Sequence, residues 1–150
     1  MARISVEVSG DERAIASFSA MILRGKSFAP VLEWAKADLR KSFATNFASN
    51  GLLVGGWAPL DAEYAAWKSV RFPGAPTLVQ TGELFRSLST DNFSGAARPN
   101  EIVIGTNLRY AKFHQYGTSK MPKREIVFEP KGFARELAKR AAQWVVRGEI

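Results

Sequence analysis

Three stretches of the chain place apolar residues at helical spacing. From Val31 to about Phe47 the stripe Leu32, Ala35, Leu39, Phe43 and Phe47 predicts the longest helix, with Lys36, Arg40 and Lys41 on its solvated flank. Ile15, Phe18 and Ile22 predict an earlier helix, capped by Asp11 and stopped by Gly25. Phe133, Leu137, Ala141, Trp144 and Val145 share one face of a last helix from about Gly132 to Val146, while Arg135, Lys139 and Arg140 point away.

Shorter runs alternate. Arg3 to Val8 sets Ile4, Val6 and Val8 against Arg3, Ser5 and Glu7, as in a half-buried strand turned by Ser9-Gly10. Ser87 to Phe93 alternates well enough to pair, through a turn over Ser94 to Asn100, with Ile102 to Ile104 as an antiparallel hairpin. Ile102, Val103 and Ile104 are apolar on both pleat faces, which suits a buried strand. Ile126 to Phe128 predicts one more strand, ended by Pro130.

Between these elements lie short caps and breaks. Asp61 is placed to cap a helix through Lys68, with Leu60 as a hydrophobic staple, and Phe72-Pro-Gly-Ala-Pro76 cannot continue it. Thr81 caps a brief turn through Glu83, Leu84 and Phe85. Thr106 or Asn107 caps a short helix ended by Gly117, and Tyr110, Phe113 and His114 give that helix an aromatic face. Leu52 to Val54, bracketed by Asn50-Gly51 and Gly55-Gly56, forms an exposed hairpin tip or loop, and Thr118 to Lys123 a basic loop.

Together these elements predict an α+β fold: an antiparallel sheet of about four or five strands with the long helix and the C-terminal helix packed on it. The 150 residues, 46% hydrophobic, suit one domain over residues 1–150, with no internal repeat. No apolar run approaches the roughly 18 residues of a membrane span, and the alternating N-terminus is unlike a signal peptide, so the chain is expected to be cytosolic when made.

Composition narrows the chemistry. With no cysteine there are no disulfides, thiolate nucleophiles or thiolate metal ligands. His114 is the one histidine, so any metal site or Ser-His-acid triad would have to form around it, and no His-Glu-x-x-His, Gly-x-Ser-x-Gly or phosphate-cradling glycine loop is present. Glu83 and Asp91 are a candidate carboxylate pair, with simpler roles at a helix start and an exposed turn. No cofactor and no catalytic residue is expected. The net charge of +7 admits an acidic partner, and Lys112, Lys120, Lys123, Arg124 and Lys131 make a nucleic-acid-binding accessory protein the alternative reading.

Trp57-Ala-Pro-Leu, Lys68, Leu78-Val-Gln-Thr-Gly-Glu-Leu-Phe-Arg-Ser87, Ile102-Val-Ile-Gly-Thr and Tyr110-Ala-Lys-Phe-His-Gln-Tyr-Gly117 occur in that order. This middle half of the chain resembles the virion morphogenesis proteins of tailed bacteriophages, tail-completion or head–tail joining proteins of the Mu type. Where relatives carry Pro-Ala-Arg-Pro-Phe, this chain keeps Pro122 and Arg124 and has Lys123, Glu125 and Ile126 at the other three places.

The resemblance implies a non-enzymatic virion subunit, made in the host cytoplasm, that joins tail tube to head connector. Related neck proteins act as homo-oligomeric rings, commonly sixfold (hexameric). Contact with DNA is allowed but not required, and no membrane is involved. The expected interface residues are Leu52, Leu53, Val54 and Trp57 in the first loop, Lys120, Met121, Lys123 and Arg124 in the second, and Lys112, His114 and Gln115 between them. For His114 and Gln115 the competing role is hydrogen bonding across a buried turn.

Overall fold

The computed structural model describes residues 12–90, 95–98 and 100–150. Six helices carry most of it: α1 (Glu12–Gly25), α2 (Ala29–Ala48), α3 (Ala62–Arg71), α4 (Glu83–Ser89), α5 (Ala111–Tyr116) and α6 (Phe133–Arg147). A single 3-10 turn, Leu52–Val54, follows α2.

Helix α2 is the axis of the packing. Pro30 sits in its first turn, where its missing N–H costs nothing, and Leu32, Ala35, Leu39, Phe43 and Phe47 are all buried as their spacing requires. Leu39, Phe43 and Phe47 form one core with Leu84 and Leu88 of α4, Ala111 of α5, and Ile126. Phe47 meets Trp57 and Phe85 edge-on, at centroid distances of 5.3 and 5.6 Å.

Helix α6 lies against α1 and α2. Phe133 stacks on Trp34 of α2 at 6.2 Å. Arg140 does not point away: its guanidinium lies 4.1 Å over the Trp34 ring and its Nε is 3.0 Å from Glu136. At the far end Arg24 of α1 donates to the Val145 and Val146 carbonyls, and Trp144 Nε1 donates to the carbonyls of Arg24 and Ser27. A cation on the last carbonyls of α6 also opposes the negative end of its dipole.

The expected four- or five-stranded sheet is absent among the described residues, and the chain is mostly helical there. The one sheet among these residues is the antiparallel hairpin β1 (Gly95–Arg98) and β2 (Glu101–Ile104), with Gly95 opposite Ile104 and Arg98 opposite Glu101. Only one face of β2 is covered: Ile102 and Ile104 are half-buried, while Val103 is half exposed.

Two expected strands have identifiable reasons for failing. The stretch from Ser87 begins inside α4, where the Ser87, Ser89 and Thr90 hydroxyls donate back to the carbonyls of Leu84, Phe85 and Arg86. Hydroxyls that bond back to a carbonyl three or four residues earlier fit a helix despite an alternating pattern. Residues 126–128 pair with no strand among the described residues, and the chain bends at Val127. Gln115 Oε1 accepts from both Ile126 N and Val127 N at 2.9 Å, and its Nε2 donates to Val127 O at 2.8 Å. One side-chain amide thus does the work of a neighbouring strand. The strand expected at Arg3 to Val8, the Asp11 cap and residues 91–93 lie outside the described residues.

Candidate functional site

A cavity of about 560 Å³ opens between α3, the loop before α4, α5 and the loop after α5. Cavities of this size are typical of sites that enclose a small molecule or an inserted side chain.

Its first wall is α3. Asp61 accepts hydrogen bonds from the Glu63 and Tyr64 amides at 3.0 and 3.2 Å, which starts the helix and sets Tyr64 and Lys68, four residues apart, along the cavity. Asp61→Ala is expected to lower unfolding free energy by about 1 kcal/mol, read from urea denaturation; a change within experimental error would show that the cap does not hold α3.

Lys68 is only 4% exposed. Its ammonium donates to the Pro76 and Thr77 carbonyls, the latter at 2.8 Å, and burial lowers its pKa. The loop so held is also tied to Asn50, whose Oδ1 accepts from Thr77 N and Thr77 Oγ1. Beyond it Gly82, at φ +77°, precedes α4, a position expected for Thr81. Thr81 Oγ1 instead accepts a long 3.4 Å bond from Glu83 N.

The opposite wall is α5 and its following loop. The helix starts at Ala111 without a side-chain cap, and Thr106 Oγ1 accepts from Leu108 N in the turn before it. Tyr110 and His114 face the cavity edge to face, 6.2 Å apart. Burial, then the Glu83 carboxylate, raises the Tyr110 pKa. Burial, then the Arg124 charge, lowers that of His114, whose Nδ1 is buried without a hydrogen-bond partner.

Gly117, at φ +74°, ends α5 and lets the chain turn so that Arg124 N donates to the His114 carbonyl at 2.7 Å. A Cβ on Gly117 would lie 2.8 Å from Lys123 N. Arg124, 4% exposed, donates from Nε to Ala58 O and from Nη2 to Pro59 O at 2.8 and 2.7 Å, and burial lowers its pKa.

Of the expected interface residues, His114, Lys120, Met121 and Arg124 come together in this cavity. Gln115 stands behind it, bonded to residues 126 and 127. Lys112 lies 5.2 Å over the Phe113 ring, and Lys123 pairs with Glu125 at 3.2 Å. Leu52 and Leu53 are exposed on the 3-10 turn, which is anchored by Leu53 N donating to the buried Asn46. Val54 is half-buried there; Trp57 turns inward, its Nε1 donating to Glu125 O at 2.8 Å.

Sequence reasoning missed Tyr64, Lys68 and Leu78 as cavity residues. The available signal was a lysine one helical turn beyond a tyrosine, on a helix whose cap was already recognised. Asp91, the suggested partner of Glu83, lies outside the described residues. Among the described residues no three His, Asp or Glu side chains gather as a metal site, and no helix is long and apolar enough to cross a membrane.

The cavity offers apolar wall, cationic N–H donors and, at Asp61 and Glu83, two carboxylates. The family model described as the phage virion morphogenesis family matches residues 11–142. No curated protein and no solved structure matches the chain.

Proposed function

The chain belongs to the phage virion morphogenesis family, and from that premise we propose that it is a structural, non-enzymatic subunit that completes the tail. In this reading copies assemble as a ring at the tail end, commonly sixfold, and join the tail tube to the head connector in the neck. The observation that carries it is the outer face of α1. Ile15, Phe18, Ile22 and Leu23 lie along that helix and are 57–65% exposed. An amphipathic helix ordinarily buries such a stripe, and a contiguous apolar patch left in water marks a surface meant to be covered.

Tyr64 and Trp67 stack at 5.5 Å on α3 and are also exposed, as is Val70 one turn further along the same helix. Subunits joined through such faces bury on the order of 1,200–2,000 Å² per interface. The nucleic-acid alternative draws less support, because Arg124 is turned inward onto carbonyls and Lys123 is paired with a carboxylate.

Light scattering and co-sedimentation with purified tail tubes test the proposal. The expected result is association, as a ring alone or on the tail end as template, that Phe18→Glu abolishes while the circular dichroism stays unchanged. A strict monomer in both settings overturns it. Salt-sensitive binding to duplex DNA with no association with tails would favour the alternative.

A further inference from the structure

Buried cations normally face carboxylates, and here two do not. Arg124 and Lys68 are each 4% exposed, line the same cavity and are satisfied only in part, by four backbone carbonyls. No ion pair joins either to an acid within the described residues. A guanidinium has five N–H donors and an ammonium three. Arg124 therefore keeps Nη1 and one N–H of Nη2 in reserve, and Lys68 keeps one N–H.

The cavity's own acids do not fill that need. Asp61 is committed to the first turn of α3, and Glu83 is exposed at the rim, where its charge acts on Tyr110. Lys120 adds a third positive charge at the edge. Leu60, Tyr64, Leu78, Leu84 and Met121 give the remaining wall its apolar and aromatic part, beside the polar Thr77, Gln80 and Thr81.

We propose that this cavity is a socket for an Asp or Glu side chain, flanked by apolar residues, on a loop of a partner protein. The carboxylate would accept from the unused N–H groups of Arg124 and Lys68, and the flanking residues would cover the apolar wall. A carboxylate matches a guanidinium fork in a way that water does not, and a charge-assisted bond there is stronger than a neutral one. Apolar walls favour a peptide over a free inorganic anion. The inference takes from the proposed function only that a partner protein exists, and its test uses the isolated chain without tails.

His114 is the sole histidine, so its imidazole gives one unambiguous NMR signal at the cavity wall. The probes are acetyl-Leu-Glu-Leu-amide, the same peptide with Gln, and inorganic phosphate. The Glu peptide is expected to shift the His114 signal saturably and to raise its titration midpoint, since a carboxylate offsets the Arg124 charge. The Gln peptide should bind about tenfold more weakly or not at all, as expected on losing a charged hydrogen bond. Arg124→Lys should weaken the Glu peptide, and Lys120→Ala, at an exposed position, should do so to a smaller degree.

No saturable shift with the Glu peptide, equal binding of the Gln peptide, or phosphate binding as well as the Glu peptide would each overturn the proposal. If Arg124→Lys fails to fold, the comparison of Glu with Gln on the parent chain still decides it. A failure here leaves tail association untouched, and a failure of tail association leaves the peptide result standing.

Discussion

Gln115→Ala is expected to lower the unfolding free energy by about 3 kcal/mol, or roughly 6–12 °C in Tm for a chain of this size. The side chain holds Ile126 N, Val127 N and Val127 O at 2.8–2.9 Å, and Ile126 is buried in the core. Alanine leaves these groups without partners, and each unsatisfied buried group costs about 1–3 kcal/mol where water cannot reach it. Gln115→Glu keeps the two bonds to the amide N–H groups, but its second carboxylate oxygen, an acceptor only, then faces Val127 O, so one of the three contacts is lost and turned repulsive. Its loss should therefore be about half as large. Urea unfolding followed by tryptophan fluorescence checks the order parent, Glu, Ala. An alanine variant as stable as the parent would mean that the segment is held by packing alone.

A second large effect is expected at Gly51, where alanine should cost about 3 kcal/mol. The residue sits at φ +84°, and a Cβ there would stand 2.3 Å from Trp57 Cδ1. The indole cannot withdraw freely, because it packs edge-on against Phe47 and donates to Glu125 O. The left-handed backbone accounts for about 1–2 kcal/mol and forced overpacking for a further 1–3. Gly55 separates the two causes: its φ is +90°, but a Cβ there meets nothing within 4 Å. Gly55→Ala should show the backbone cost alone, about 1–2 kcal/mol. Equal losses at the two positions would remove the steric part of the explanation.

The helical half of the fold was readable because its signals are local. The α2 stripe, the Asp61 cap and the Gly117 stop each act within one or two turns, and each is found where spacing places it. The sheet was misread for the opposite reason. Whether Ile126 to Phe128 becomes a strand depends on what lies beside it, and what lies there is a glutamine side chain eleven residues earlier in the chain. Ser87 and Ser89 alternate with apolar residues but turn their hydroxyls back into a helix.

The cavity was half legible. His114, Lys120, Met121 and Arg124 fall in one short stretch, so their proximity follows from the turn at Gly117. Lys68 comes from a helix over forty residues earlier, and nothing in its neighbours announces that it is buried. In isolation a helical lysine belongs to the solvated side, and only tertiary packing assigns it the carbonyls of Pro76 and Thr77.

The backbone of the segment held by Gln115 also explains which of its side chains are at liberty to vary. At residue 125 the backbone is used only through its carbonyl, which receives Trp57 and Asn46, while its N–H makes no hydrogen bond among the described residues. A proline, as relatives carry there, would forfeit no bond. Residue 123 is exposed, so an alanine or a lysine serves equally, and residue 126 need only be a large apolar plug. Arg124 is different, since its guanidinium clasps Ala58 and Pro59. The stretch can thus drift in sequence at three places while its path through the molecule stays fixed.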